Sequence, residues 1–369
     1  MRDRPRIAII GIKGIPARFG GFETAVDQTM RRLASDFEIV VYNRNDHPAG
    51  PIDGYEGIRI RTLWAPHSKH LSTIVHAFLA TVDALCRGAD VFHYFTAGTA
   101  PLAVIPKLFG RRVVVSVDGL DWQRSKWGRV PRAYLRFGER VASWVADAVV
   151  TDADVLRRYY RERYRRDSIC IAYGSELPAP LALGTLDSLG LRANGYFLFV
   201  GRLVPENLLD QLLVAWRSVR SDRQLVIVGD DPWETEYKAR LHELADERVL
   251  FTGYVFGDGY AELLNGCYAY LFPDAIGGTH PALLEAMGAG AAILANGTEA
   301  NREVLGDAGR TWDPDDGPAG IARGISVLET TPELVAELGE RARKRATSEY
   351  NWDHVANQHR ELYRSLVGR

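Results

Sequence analysis

Cysteine is scarce in this 369-residue chain, which has three cysteines and three methionines. Cys86, Cys170 and Cys267 lie far apart, and no CxxC pair occurs. This spacing argues against a disulfide framework and against a cysteine-bound zinc site, and it favours a reducing compartment. No apolar run approaches the ~20 residues that a helix needs to cross a bilayer.

The N-terminus is basic and precedes a short apolar stretch, Ile7–Ile12, which Lys13 follows directly. A secretion signal needs a longer apolar core and small residues at a cleavage site. We therefore predict a buried first strand here and a cytoplasmic protein.

The chain has no large excess of either charge, since its net charge is −2, but its two halves differ in charge. Residues 1–173 carry 27 basic and 18 acidic side chains, whereas residues 174–369 carry 18 and 29. This asymmetry predicts that the first half meets an anionic partner; chance segregation of surface charge is the alternative.

Short apolar runs alternate with amphipathic helical patterns along the whole chain, which is typical of doubly wound α/β domains. The pattern falters around residues 178–189 and then restarts. We predict a first Rossmann-like domain at 1–175, a linker at 176–194, a second such domain at 195–348 and a C-terminal helix at 349–369. Two such domains would enclose a cleft, where ligands usually bind.

Two glycine-rich loops connect a predicted strand to a predicted helix. The first contains Gly14, Gly20 and Gly21, with Glu23 opening the helix, and its spacing is not that of the GxGxxG fingerprint. A helix N-terminus with glycines before it suits phosphate, and a turn that merely requires positive φ is the alternative.

The second loop follows a strand that ends at Pro273, and its helix begins near Pro281. The N–H groups of Gly278, Thr279 and His280 are therefore candidates to hold a diphosphate. Glu285 lies one turn further on an apolar face, where a carboxylate needs a hydrogen-bonding partner such as a ribose diol.

These segments resemble glycosyltransferase family 4. The donor-nucleotide segment of that family is similar to GGTHPALLEAMGAGAAILA followed by NREVLG, and its diphosphate-binding strand and loop are similar to VGRLVPEN. A subgroup with bacterial rhamnosyltransferases of cell-surface polysaccharide assembly resembles GIKGIPARFGGFET, VDGLDW and KWG. The resemblance covers nearly the whole chain.

The resemblance implies two Rossmann-like domains facing a cleft, the GT-B architecture, with the last helix crossing back to the first domain. It implies retention of anomeric configuration and no metal or other cofactor. Arg202 matches the family's diphosphate arginine, and the base is expected near Tyr254 and Val255. Gly20 and Gly21 would close over the phosphates.

The resemblance also suggests a catalytic residue. Asp118 falls where the family often has a histidine near the reacting sugar, so we predict that it orients a hydroxyl of donor or acceptor. An Asx turn at Asp118-Gly119 is the alternative.

Two departures from the family pattern concern the donor. The family's lysine after the arginine falls on Asn207 or Leu208, and Lys13 or Arg18 are candidates to replace it. The first of the family's paired glutamates falls on Gly277, whereas the second matches Glu285. Donor identity therefore does not carry over, and a 6-deoxy sugar such as rhamnose is compatible.

A basic, aromatic region spans residues 122–166. Arg129, Arg132, Arg136 and Arg140 fall on one helical face beside aromatic residues, and a second cluster occupies 157–166. Such composition suits an anionic membrane surface, although a solvated helix face is the alternative. Nucleic acid is not favoured because no binding motif accompanies the charge.

We therefore predict a hexosyltransferase that is peripheral on the inner membrane face. It would move a sugar, with rhamnose as candidate, from a nucleoside diphosphate to a lipid-linked saccharide in cell-surface polysaccharide synthesis. Two other interpretations stay open: a nucleotide-sugar epimerase of the same architecture, and a non-catalytic relic that binds nucleotide-sugars.

Overall fold

The computed structural model describes residues 4–17, 20–68, 71–123, 127–176, 184–231 and 234–368. The chain forms two compact units: Met1–Gly174 together with Trp352–Arg369, and Ser175–Asn351. Each unit has its own sheet and its own apolar core.

The first unit contains an eight-stranded sheet in the order β3-β4-β2-β1-β5-β6-β7-β8. All neighbours are parallel except β3 and β4. The central strands are continuous apolar runs because helices cover both faces of the sheet. The strands are β1 (Arg6–Ile10), β2 (Glu38–Arg44), β3 (Gly54–Tyr55), β4 (Ile58–Leu63), β5 (Val91–Phe95), β6 (Arg112–Val117), β7 (Ala148–Thr151) and β8 (Ile169–Cys170).

Six α-helices of the first unit are α1 (Gly21–Leu33), α2 (Ser72–Cys86), α3 (Val104–Leu108), α4 (Arg129–Val145), α5 (Asp154–Tyr164) and α14 (Trp352–Val367). The core on one face of the sheet includes side chains of α2, α4, α5 and a 3-10 helix, Ala97–Ala103. On the other face α14 packs against α1 and β5. The Tyr363 hydroxyl of α14 lies 2.7 Å from His93 Nδ1, and Arg360 donates to Asp36 at 3.0 Å.

The second unit contains a six-stranded parallel sheet in the order β11-β10-β9-β12-β13-β14. Its strands are β9 (Tyr196–Val200), β10 (Gln224–Val228), β11 (Val249–Gly253), β12 (Ala269–Phe272), β13 (Ala292–Asn296) and β14 (Arg310–Trp312). Its helices are α6 (Thr185–Ser188), α7 (Leu209–Ser218), α8 (Thr235–Leu244), α9 (Gly257–Gly266), α10 (Pro281–Ala289), α11 (Glu299–Leu305), α12 (Gly317–Thr330) and α13 (Pro332–Glu349).

The expected linker differs from the structure in its second part. Residues 177–183 lie outside the described residues, but α6 packs against α9. The Glu262 carboxylate accepts hydrogen bonds from the N–H groups of Thr185 at 2.8 Å and Leu186 at 3.3 Å. Residues 184–194 therefore belong to the second unit, because a buried carboxylate holds them there.

Both sheets reverse their strand order at one point. In the second unit the chain runs from β9 outward to β11, then returns to β12 and continues to β14 on the other side. In the first unit β1 and β5 are the corresponding neighbours. Loops diverge at such a point, so the carboxyl ends of these strands are the expected ligand positions in each unit.

Candidate functional site

Two loops meet at the switch point of the second unit. The loop after β9 begins with Gly201 and Arg202, and the loop after β12 contains Asp274 and Gly277. The Ala275 N–H donates to the Glu206 carbonyl at 3.2 Å, which joins the two loops. The sequence motifs around Arg202 and Gly278 thus lie on loops in direct contact.

Arg202 is an exposed cation at the end of β9. Among the residues that the structure describes, no carboxylate lies within ion-pair distance of its guanidinium. The Asn207 side chain donates to the Arg202 carbonyl at 2.8 Å, and Leu208 has a positive φ of 48°. Where the family has a lysine, Asn207 therefore closes the loop, and it adds no positive charge beside Arg202.

The N-terminus of α10 is suited to an anion. Gly277 has a φ of 146°, His280 is the N-cap residue in an extended conformation, and Pro281 is the first helical residue. The first turn has no acidic residue, and His280 makes no side-chain capping bond. Gly278 and Thr279 are buried. The helix dipole and the N–H groups at this end therefore favour negative charge.

The His280 ring fills the space above Gly277. A Cβ atom at position 277 would clash with His280 Nε2, and the ring packs edge-on against Phe272 with centroids 5.1 Å apart. His280 Nδ1 lies 3.7 Å from Asp274 Oδ2. Where the family has a glutamate, this chain therefore has Gly277, and the imidazole of His280 covers it.

Glu285 has a protein partner, which the sequence did not indicate. The Tyr260 hydroxyl of α9 donates to Glu285 Oε2 at 2.6 Å. Burial raises the pKa of Glu285, while this hydrogen bond lowers it. Burial first, and then the charge of Glu285 and this hydrogen bond, raise the pKa of Tyr260 well above its usual range. A ribose at this position would therefore meet a carboxylate whose orientation is already fixed.

Tyr254 and Phe256 form an exposed aromatic pair after β11. Their rings are stacked at 15° with centroids 5.6 Å apart, and the Tyr254 hydroxyl donates to the Asp230 carbonyl at 2.8 Å. Burial and nearby acids raise the Tyr254 pKa, and the charge of Arg202 opposes them. Val255 between them is half-buried. Exposed ring faces near a cation suit a nucleobase, and Phe256 is an addition to the predicted residues.

The glycine turn of the first unit is filled by its own side chains. The Lys13 N–H donates to Glu23 Oε1 at 2.9 Å, and a Cβ at Gly20 would clash with Glu23 Oε2. Burial raises the Glu23 pKa. Any phosphate bound at Gly20 and Gly21 would thus lie beside this carboxyl group. Arg18 lies outside the described residues.

Asp118 directly follows β6 at the edge of the first sheet and is half-buried. It lies near Tyr173, whose pKa is raised first by burial and then by four carboxylates: Asp118, Asp152, Glu23 and Asp121. The Tyr173 ring packs edge-on against Phe22 at 6.4 Å. Asp118 therefore belongs to a group of acids around a buried tyrosine, and neither Asp152 nor Tyr173 was predicted from the sequence.

The two basic clusters of region 122–166 differ in the structure. Arg136 lies 4.0 Å above the Trp122 ring, and Arg140 lies 5.7 Å from Trp144, on the exposed side of α4. On α5, Arg157, Arg158 and Arg161 pair with acids, as Arg161 does with Asp167 at 2.8 Å. The α5 tyrosines 159 and 164 donate to the buried Glu139. Residues 124–126 lie outside the described part of the chain.

No helix within the described ranges is long and apolar enough to cross a bilayer. The same ranges contain no group of three or more His, Cys, Asp or Glu side chains that could hold a metal ion.

The fold and the switch-point loops define a two-unit α/β protein with an anion-receptive helix terminus in its second unit. A family model described as "Glycosyl transferases group 1" matches residues 194–330, and one described as "Glycosyl transferase 4-like domain" matches residues 20–173. The chain belongs to glycosyltransferase family 4, has the GT-B fold and is a hexosyltransferase.

Curated relatives agree with this assignment. The phosphatidyl-myo-inositol mannosyltransferase of Mycobacterium tuberculosis is 30% identical over 291 residues, which cover 76% of this chain and 74% of the relative. The alpha-maltose-1-phosphate synthase of Mycolicibacterium smegmatis is 28% identical over 267 residues, with coverages of 62% and 67%. Neither name is that of a rhamnosyltransferase, so membership of that subgroup is not supported here.

Solved structures share the fold. Sucrose-phosphate synthase from Thermosynechococcus elongatus superposes with a TM-score of 0.85 at 20% identity, covering 99% of this chain and 100% of that one. Anabaena HepE, solved in complex with UDP and glucose, gives 0.81 at 16% identity, with coverages of 98% and 100%. These likenesses establish the GT-B architecture that the sequence predicted.

Proposed function

We propose that this hexosyltransferase is retaining and metal-independent, and that it transfers a sugar from a nucleoside diphosphate to a lipid-linked saccharide in cell-surface polysaccharide synthesis. One observation supports the nucleotide-sugar donor. Arg202 and the N-terminus of α10, whose first turn has no acidic residue, lie on two loops that contact each other. Without a metal, a cation and a helix terminus are the groups that stabilise a departing diphosphate.

The donor would be held by three sets of groups. Arg202 and the N–H groups of residues 278–280 bind the diphosphate. Glu285, oriented by Tyr260, accepts hydrogen bonds from the ribose hydroxyls. Tyr254 and Val255, with Phe256 beside them, contact the base. HepE of the same fold was solved with UDP and glucose, which supports a sugar nucleotide as the ligand class.

Asp118 is proposed to orient the reacting hydroxyl from the first unit, and the departing phosphate oxygen would take the proton of the acceptor. Gly20 and Gly21 stay predicted phosphate contacts. Retention, the absence of a metal and the choice of rhamnose rest on the resemblance to family 4. Mannose is the competing sugar, because a relative is named as a mannosyltransferase.

The acceptor is proposed to be a lipid-linked saccharide on the inner leaflet. A relative is named for transfer to phosphatidyl-myo-inositol, which is a lipid. The basic region 122–166 supports the same setting through the exposed arginines of α4. The protein would then be peripheral and held at the membrane by its surface charge.

Thermal shifts against dTDP, UDP and GDP, each alone and with rhamnose, glucose or mannose attached, test the donor site. A ligand that binds the native state raises the unfolding midpoint according to its occupancy. We expect one base to raise it, and Glu285→Ala to abolish that shift. Glu243→Ala, at an exposed position of α8, is the matched control. The proposal fails if no nucleotide shifts the midpoint.

Turnover assays separate a transferase from the two other interpretations, and Asp118→Asn tests the transferase. We expect donor binding to be retained and transfer to fall about 100-fold, which is a typical loss for a positioned acid or base. An epimerase would convert the donor with no acceptor present. The departures at Gly277 and Asn207 favour the relic interpretation, whereas Glu285, Arg202 and Asp118 count against it. A donor that binds without any turnover would support the relic.

A further inference from the structure

The outer surface of α2 and α3 is apolar where a surface helix normally shows polar side chains, and that of α4 combines apolar side chains with arginines. On α2, Ala77, Ala80 and Ala84 face the sheet and join the core. Phe78 and Val82 lie one turn apart on the opposite side and are 45% and 42% exposed. A helix that is apolar on both faces is normally buried on both, so this stripe lacks a cover.

The apolar surface continues on the neighbouring elements. Leu108 at the end of α3 and Phe109 after it are 80% and 67% exposed, and Trp144 on α4 is 73% exposed. The 3-10 helix Ala97–Ala103 packs against α2, α3 and α4, and its small side chains join the same core. The three helices are therefore neighbours in one layer, so these exposed apolar side chains lie on adjacent elements. Exposed apolar side chains grouped in this way mark a candidate interaction site.

Cations accompany this surface without matching acids. Arg129, Arg136 and Arg140 are exposed on α4, and within the described ranges none of them has an ion-pair partner. The acid of that helix, Glu139, is buried and accepts hydrogen bonds from two tyrosines. On α14, by contrast, Arg360 and Arg364 are both paired with Asp36.

We propose that this face of α2, α3 and α4 docks on an anionic bilayer surface. Phe78, Val82 and Leu108 would enter the boundary between headgroups and acyl chains, and the α4 arginines would contact headgroup phosphates. Aromatic and aliphatic side chains with unpaired arginines match the layered chemistry of such a surface. The face excludes α5, where Arg157, Arg158 and Arg161 are already paired with Asp154 and Asp167.

The proposal rests on the proposed function, which places the protein at a membrane, and it names the face that makes the contact. It moves the contact from residues 122–166 to a face that includes α2 and α3. Co-sedimentation of the full chain with vesicles measures it without donor or acceptor. A failure of docking therefore leaves the donor thermal shifts informative, and a failure of those shifts leaves docking informative.

The vesicles are phosphatidylcholine alone, or phosphatidylcholine mixed with phosphatidylglycerol. We expect the protein to prefer the anionic vesicles. Arg129→Ala/Arg140→Ala should weaken binding to these by roughly 25-fold, at about five-fold for each arginine near an anionic surface. Phe78→Ser/Val82→Ser should weaken binding to both kinds of vesicle by about ten-fold, because buried apolar area is lost.

Matched controls lie in the second unit. Val214→Ser replaces a valine that is 44% exposed on α7, and Arg217→Ala/Arg220→Ala replaces two exposed arginines. Both should bind vesicles like the unaltered chain. Equal binding to the two kinds of vesicle would overturn the proposal, as would full binding by the Phe78/Val82 variant. A lipid-free dimer that this variant dissociates would assign the face to a second copy instead.

Discussion

The two glycine-rich turns of this chain look alike in sequence and differ in charge. Each connects a buried strand to a helix, β1 to α1 in the first unit and β12 to α10 in the second. In the first turn the Glu23 carboxyl group lies against Gly20 and accepts the Lys13 N–H. In the second turn the first helical residues carry no acid, and the contacting loop carries Arg202.

The difference gives the two turns different electrostatic surroundings for a bound phosphate. A helix N-terminus attracts any negative group, and a side chain from its own first turn competes with a ligand. The first turn has the Glu23 carboxyl group beside its helix terminus, together with the cations Lys13 and Arg44, whereas the first turn of α10 has no acid. The first turn is better suited to holding its own loop, with Asn43 bonded twice to the Ile15 backbone.

Arg202→Ala should show the largest difference in catalytic efficiency between a change beside the second turn and one in the first. Removing a cation that stabilises a developing charge typically lowers turnover by about 100- to 1,000-fold. We expect a loss of that size in kcat/KM, whereas Lys13→Ala should change it by less than about ten-fold, since its N–H contact to Glu23 is kept. Steady-state kinetics with the identified donor measures both. Equal losses would show that the first turn also binds the diphosphate.

Acidification should distinguish the two units by stability. Burial lowers the pKa of His76 and of His359 to about 4, and it lowers that of His93 well below its usual range. Between pH 6.5 and about 4 the unfolded chain binds more protons at these sites than the native chain, so stability falls as the pH falls. At pH 5 each of His76 and His359 should lower the unfolding free energy by about 2 kcal/mol relative to pH 7.

All three of these histidines belong to the first unit. Hydrogen exchange, corrected for intrinsic rates at pH 7 and pH 5, should therefore show a larger loss of protection in the first unit. His359→Gln should reduce that loss. An equal loss in both units would contradict the assignment.

Tyr260→Phe tests whether the second turn needs an oriented carboxylate. Removing the hydroxyl takes away a charge-assisted hydrogen bond at 2.6 Å and frees Glu285 to rotate. We expect donor affinity to weaken about ten-fold with kcat nearly unchanged, because the ribose is not at the reacting centre. Tyr237→Phe, which removes a hydroxyl that donates to Asp210, is the control. A loss of kcat alone would indicate a different role.

Glu23→Gln should have the smallest effect on the donor. The amide keeps one acceptor for the Lys13 N–H, so stability should fall by about 1 kcal/mol or less, measured by chemical denaturation. Donor affinity should change by less than about three-fold if the first turn binds no phosphate. A clear gain in affinity would mean that Glu23 repels a bound phosphate, and it would support Gly20 and Gly21 as contacts.

The fold was largely predictable because buried parallel strands are short apolar runs. Arg112–Val117, Ala148–Thr151 and Ala269–Phe272 are such runs, and each is a strand in the structure. Helix α2 gives no 3.6-residue contrast in the sequence, since its side chains are apolar on both faces. The segment at 184–194 was assigned to a linker because its single helical turn is too short to show a period.

The sequence by itself determined the two α/β units, the strand ends and the positions of Arg202, Gly278 and Glu285, because apolar periodicity and glycine spacing are local properties. Tertiary structure alone decided which charges share a site. It placed Tyr260 on Glu285, the His280 ring over Gly277 and the Glu23 carboxyl group on the Lys13 N–H. It also left α2 uncovered on one side. These contacts join residues far apart in the chain or depend on how a side chain is oriented. A one-dimensional sequence pattern records neither the distant contact nor the orientation.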